Sequence, residues 1–377
     1  MRIGVIVGQR AVMSGGAIQA VQLCEELQQR GHAVCLVFDR PDHPVAAAAQ
    51  AEVAARIPLL AVEMRSLPTF ATLRQVRRWL RQHQVEVIYA IKGRGLSTAL
   101  LATIGTGLPV IGQRGVNYPL DRFSALKYRH PRVRAIVAVS QATARVLVEN
   151  APSLSSKVRV VYQAYSERFL HPTDPGRLRR ELDLEETIPL IGVVGNLLPR
   201  KGHFHLLRCL PAILREVPEA KLVFIGSGQL ESVLPVGFSD RAAVIHTGFR
   251  DDVPELLPGL TLSINPAIEG EGLTGTTRES MVAGVPVVVS DVAGTGELIR
   301  DGENGFLVPA GDEQALTDRI LRLLSDIALR RKFTDTARKD MLALCSPEQR
   351  VETMLELFTS ALQDRPAVKV VNSVEER

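Results

Sequence analysis

The sequence predicts an α/β protein made of two doubly wound, Rossmann-like domains in series. Three observations carry that prediction. The chain has 377 residues, long for one domain and comfortable for two. Short apolar runs alternate with helical patterns, and a Pro- and Gly-bearing segment interrupts the alternation midway. In the first half, residues 3–7, 33–38, 86–91, 109–112 and 135–139 read as buried strands, and 16–30, 70–83 and 141–150 as helices. The second half repeats the rhythm with strands at 190–194, 221–225, 243–246, 260–264 and 286–289, and with helices that include 203–217 and 276–283. The interruption, QAYSERFLHPTDPGR, sets the domains at 1–165 and 166–346. A last helix, about 347–363, follows a break at Ser346 and Pro347 and is expected to pack back on the first domain.

Composition narrows the function classes. Hydrophobic residues make up 46% and charged residues 23%, ordinary for a protein with real cores. No run of eighteen apolar residues occurs, and MRIGVIVGQR leads straight into a strand-like run, so a cytoplasmic protein is expected. Cys24, Cys35, Cys209 and Cys345 lie too far apart for a metal knuckle or a disulfide framework, and Cys24 and Cys35 read as buried small hydrophobes. Charge is uneven: residues 1–165 hold 21 Lys/Arg against 9 Asp/Glu, and the remainder 24 against 32. Such a basic half suits an anionic partner. Aromatics at 5% and no motif beyond charge argue against nucleic acid and leave an anionic membrane surface, met peripherally at the inner face of the cytoplasmic membrane. In the helix at 70–83, Phe70, Leu73, Val76 and Leu80 recur at helical spacing toward the core, turning Arg74, Arg77, Arg78 and Arg81 outward.

Three segments carry candidate chemistry. NPAIEGEGLTGTTRESMVAGVPVV begins at the end of an apolar strand, where open α/β sheets bind ligands. Its glycines Gly270, Gly272 and Gly275 bring backbone N–H groups close to a ligand and lead into a helix with a positive dipole end. Glu271 on the loop and Glu279 on the helix, seven residues between them, can reach one hydroxyl-rich ligand. In IGVVGNLLPRKGHFHLL a strand ends at Gly195, and Arg200, Lys201 and Gly202 open a helix, a setting that suits a diphosphate. Ser14, Gly15 and Gly16 form a glycine turn between the first strand and its helix. His203, the histidine nearest the proposed phosphate loop, reads as a capping or surface residue.

The Glu–seven residues–Glu spacing, followed by AGVPVV and GELIRDGENGFLV, resembles the family 4 retaining glycosyltransferases of the GT-B fold, whose two domains face a central cleft. The resemblance implies that Glu271 lies beside the donor sugar, with Gly272, Leu273 and Thr274 in the same loop, and that Glu279 binds the nucleotide ribose. It implies that Lys201 and Arg200 face the donor diphosphate with Gly195, and that Gly15 and Gly16 face the donor phosphates from the N-terminal domain. Gly228 in FIGSGQLESVL and Arg250 in HTGFRDD fall near the nucleotide base. The chain departs from the family in two places. Asn196 stands where relatives carry arginine, a charge that Arg200 can replace, and Arg114 stands where many carry a histidine near the transferring sugar. Arginine is no base at neutral pH. A retaining transfer can instead pass the acceptor's proton to the leaving phosphate. Lys92 and Arg94 would clamp a diphosphate or an anionic acceptor.

No Asp-x-Asp pair, His-Glu-x-x-His or Cys/His cluster is present, so neither metal nor other cofactor is expected. The implied function is transfer of a sugar from a nucleotide-sugar donor to a saccharide or lipid-linked acceptor, in lipopolysaccharide-core or polysaccharide assembly. The competing readings are a catalytically silent nucleotide-sugar-binding protein and a GT-B sugar-nucleotide epimerase.

Overall fold

The computed structural model describes residues 1–9, 15–41, 43–229, 233–234, 238–269 and 272–363. They form two compact units, one of residues 1–164 joined by 347–363, the other of residues 165–346.

Unit 1 holds a parallel sheet of β1 (Arg2–Val7), β2 (Ala33–Asp39), β3 (Leu59–Val62), β4 (Val87–Ile91), β5 (Val110–Arg114), β6 (Val133–Ala138) and β7 (Val158–Val160). Its order is β3-β2-β1-β4-β5-β6-β7, so the chain reverses direction across the sheet between β1 and β4. The helices are α1 (Gly15–Gln29), α2 (Pro44–Ala54), α3 (Phe70–Gln82), α4 (Lys92–Ala102), α5 (Arg122–Arg129) and α6 (Gln141–Asn150). Strand residues alternate between two cores. Ile3, Val5 and Val7 join the side chains of α1, whereas Ile6 joins those of α3 and α4.

Unit 2 repeats the plan with α7 (Arg177–Glu181), β8 (Leu190–Val194), α8 (His203–Glu216), β9 (Lys221–Ile225), β10 (Val244–Gly248), α9 (Val253–Leu256), β11 (Leu262–Asn265), α10 (Gly275–Val282), β12 (Val287–Asp291), β13 (Phe306–Pro309), α11 (Glu313–Ser325) and α12 (Ile327–Leu344). The parallel order is β10-β9-β8-β11-β12-β13, which puts the reversal between β8 and β11. The last helix, α13 (Pro347–Leu362), belongs to unit 1, where Val351, Met354, Leu357 and Phe358 enter the α1-side core. Buried Arg350 donates to Gln19 Oε1 at 2.7 Å and pairs with Glu26 at 2.5 Å, tying α13 to α1.

Three departures from the sequence reading have physical causes. The edge strands β3, β7 and β13 are only 4, 3 and 4 residues long, too short to show a pattern. Helix α4 opens KGRG, which reads as a loop. Yet a Cβ on Gly95 would lie 2.7 Å from the Ile6 carbonyl oxygen, so this glycine lets a helix touch the sheet backbone. Phe70 was expected in the core and is 82% exposed. At 100° per residue it falls in line with Arg74 and Arg81 rather than with the buried Val76. All four cysteines are buried thiols.

Candidate active site

The densest gathering of sequence-predicted residues lies in unit 2, at the C-terminal ends of β8 and β11, the reversal point where doubly wound sheets take ligands. After β8 the chain passes through Gly195 and Asn196 and makes a 3-10 turn at Pro199–Lys201. Gly202 follows at φ 70°, where a Cβ would sit 1.8 Å from the Pro266 carbonyl oxygen. Only glycine fits, and its contact joins the Arg200–Lys201 turn to the end of β11. A hydrogen bond from Ile268 N to Arg200 O, 3.0 Å, adds a second tie. The loop after β9 is fastened alongside: Leu197 N donates to Ser227 O at 2.8 Å. A Cβ on Gly226 would meet Gly195 O at 2.1 Å, and one on Gly228 would meet Leu197 Cβ at 2.7 Å.

Helix α10 starts on this platform. Gly272, Leu273 and Thr274 are buried just before it. Thr274 occupies the cap position but shares its hydroxyl with Thr295 at 2.7 Å, and among the described residues no side chain caps the helix. Asn265 Nδ2 donates to Thr277 at 3.3 Å and Ser280 to Ser263 at 2.7 Å, fixing the helix to β11. Glu279 keeps 23% of its side chain exposed. Burial raises its carboxyl above the ordinary range, and the neighbouring Arg278 charge opposes that rise. Gly270 and Glu271 lie outside the described residues, as does Ser14.

Arg250, expected near a nucleotide base, donates to Asp252 at 2.7 and 2.6 Å and to Glu181 at 2.7 and 3.1 Å, a pairing that joins α7 to the start of α9. These bonds raise Arg250 further and pull Glu181 down to about 2. His203 is 1% exposed rather than at the surface, edge-on to Phe224, and burial pushes its imidazole down to about 4.

In unit 1, Gly15 and Gly16 open α1 beyond β1, and a Cβ on Gly15 would meet nothing within 4 Å. Arg114 ends β5 and donates to Tyr118 O at 2.5 Å. Lys92 starts α4 at φ 66°, in the left-handed region. Arg94, expected to clamp an anionic ligand, donates at 3.1 Å to buried Asp39, whose other oxygen accepts from Met64 N. Arg278 is the residue the sequence reading passed over. It stands three and four positions before Met281 and Val282, both fully buried, and that spacing marks it as an arginine on an apolar face.

Known proteins resemble this chain. The family described as Glycosyltransferase Family 4 matches residues 13–167, and Glycosyl transferases group 1 matches 188–326. The putative glycosyltransferase EpsD of Bacillus subtilis is 32% identical over 52% of this chain and 52% of its own, so that match spans about half of either protein. The phosphatidyl-myo-inositol mannosyltransferase of Mycobacterium leprae is 27% identical over 88% of this chain and 90% of its own. HepE of Anabaena, solved with UDP and glucose, superimposes with a TM-score of 0.81 at 18% identity, covering 96% of this chain and 100% of that one. The fold is GT-B. The chain belongs to the family 4 glycosyltransferases, which the two family matches, one to each unit, establish.

Proposed function

We propose that the chain is a retaining, metal-independent enzyme that moves a sugar from a nucleotide-diphosphate donor to a saccharide or lipid-linked acceptor in cell-envelope glycan assembly. The observation that carries the donor half is the backbone tie between the Arg200–Lys201 turn and the end of β11. It puts two cationic residues and the uncapped start of α10 on one rigid platform, which suits a diphosphate that leaves without a metal. Asn196 supplies no charge there, and Arg200 takes its place. Glu279 would accept from ribose hydroxyls, and HepE, solved with UDP and glucose, agrees with a nucleotide-sugar donor. Transfer of label from UDP-, GDP- and ADP-sugars tests the reading, with anomeric configuration read by NMR and the assay repeated in chelator. Retained configuration in chelator is expected. Binding without turnover would make the chain a silent binding protein, and recovery only with added magnesium or manganese would overturn metal independence.

Unit 1 would meet the acceptor at an anionic membrane, on the cytoplasmic face. No helix among the described residues is long and apolar enough to cross a membrane. Support comes from α3, where exposed Arg74, Arg78 and Arg81 share a stripe with Phe70, and from Leu67 just before it, 79% exposed. Arginines contribute about 1 kcal/mol each near an anionic bilayer, and two apolar side chains add a shallow anchor. The M. leprae relative, named for a phosphatidyl-inositol substrate, agrees with a lipid-borne acceptor.

A further inference from the structure

Arg278 is 1% exposed and among the largest fully buried side chains described. Burying a guanidinium without good partners costs several kcal/mol, and its place on the apolar side of α10 would be filled more cheaply by leucine. Among the described residues, its Nε and Nη1 have no hydrogen-bond partner. Its Nη2 reaches to 3.8 Å from Glu279 Oε1. Both side chains lean toward the helix N-terminus, as helical side chains do. They converge over Gly275: a Cβ there would lie 3.5 Å from Glu279 Oε1 and 3.6 Å from Arg278 Nη2. The cation and carboxylate thus lie side by side over the first turn of the helix. At 3.8 Å the two attract without a close hydrogen bond, so the Glu279 oxygens stay available to other donors.

We propose that Arg278 is a positioning residue of the nucleotide site, holding the Glu279 carboxylate over Gly275 so that it accepts from a ribose diol, without itself touching the nucleotide. The proposal rests on the nucleotide-site reading above. A carboxylate accepting from two adjacent hydroxyls must be ionised and fixed in rotation, and a buried cation behind it supplies both conditions. Aspartate or glutamate alone, half in a low-dielectric pocket, drifts toward the neutral form, and burial does push Glu279 that way.

The experiment uses the full chain and whichever of UDP, GDP and ADP it binds most tightly, with the 2′,3′-dideoxy analogue of the same nucleotide. Calorimetric dissociation constants are measured for the unaltered protein, Arg278→Met, Arg278→Lys, Glu279→Gln and the double variant Arg278→Met/Glu279→Gln. Arg278→Met should weaken the ribonucleotide about tenfold, the size of one charge-assisted hydrogen bond misaligned. Arg278→Lys should restore most of that affinity. The loss should vanish for the dideoxy analogue and in the Glu279→Gln background, because Arg278 acts through Glu279. Equal weakening of both nucleotides, or a loss that persists without the carboxylate, would make Arg278 a structural residue only and overturn the proposal. Unfolding of the same four ligand-free variants keeps the two readings apart. If no nucleotide binds the unaltered protein, the nucleotide site itself falls. Stability effects of the two substitutions that then simply add would show that Arg278 does not hold Glu279 at all, whereas non-additivity would retain the pairing.

Discussion

In unit 1 the first strand leads to Gly15 and Gly16 at the start of α1; in unit 2 the corresponding strand, β8, leads to the Arg200–Lys201–Gly202 turn at the start of α8. Both loops lie at the reversal point of sheets with the same inner order. They differ in what surrounds them. The unit 2 loop is pressed against its neighbours through Gly202, Gly226 and Gly228, each with backbone or side-chain atoms within 2.7 Å of where a Cβ would be. In unit 1 a Cβ on Gly8 would lie 2.4 Å from Gly95 N, whereas one on Gly15 would meet no atom of the described residues within 4 Å. One backbone plan therefore yields close glycine contacts right up to the helix start in unit 2, whereas in unit 1 the described close contact falls at Gly8, next to the end of β1, and the difference lies in loop glycines rather than in the strands. Net charge divides the same way, with the basic surplus in the first 165 residues. A rigid cationic platform suits a small diphosphate, and a basic unit suits a larger anionic partner.

Exchanging glycines tests this contrast most severely. Gly202→Ala should be destabilising by about 3 kcal/mol or more, since both a clash with Pro266 and a left-handed φ oppose it. Gly15→Ala should change stability by at most about 1 kcal/mol, and in the favourable direction, because alanine is the better helix former. Chemical unfolding of the two variants measures the gap, and similar losses would erase the distinction between the loops.

Acid should separate the units next. The folded pKa of His203 lies near 4, below its ordinary 6.5, so the unfolded chain binds the extra proton between those values. Stability should therefore be complete above about pH 6.5 and fall by about 3 kcal/mol as the pH drops toward 4. His203→Leu should flatten that slope. In unit 1, burial also lowers His32 and His130, both partly exposed, so substituting either should flatten the slope in the same direction but by less than His203→Leu. A slope that survives His203→Leu would place the acid sensitivity elsewhere.

Lys201→Ala should lower turnover about a hundredfold, the usual consequence of removing a preorganised electrostatic partner, with unfolding unaffected. Unaltered kcat and KM would detach the platform from the diphosphate. The smallest effect on the fold is expected at α3. Phe70→Ser should change stability by less than about 0.5 kcal/mol, as should Arg74→Gln, Arg78→Gln and Arg81→Gln. Together they should abolish sedimentation with anionic vesicles at low salt while donor binding is kept. Equal partition into neutral and anionic vesicles would leave the basic half without its membrane role.

Much of this was readable from the residues. Central strands such as β1, β4, β8 and β9 are buried on both faces, so their apolar runs stand out in the sequence, and the loops between them carried the glycines and cations of the candidate site. Short edge strands and helix α4 were not readable, because three or four residues carry no period and Gly95 follows from the approach of a helix to Ile6, distant in sequence. Side-chain partners were the least readable. Arg250 and Arg94 had the right charge and the right neighbourhood for an anion, but Asp252, Glu181 and Asp39 reach them first.

By itself, then, the sequence determined the two α/β units, the order in which their glycine-bearing loops occur and the family to which they belong. Local periodicity and glycine placement depend on neighbours along the chain. Only the tertiary structure decided which arginines are committed to carboxylates, that His203 is buried, that Phe70 faces outward and that Arg278 stands behind Glu279. Each of those depends on desolvation and on partners brought together by folding, and neither is encoded in the spacing of residues along one segment.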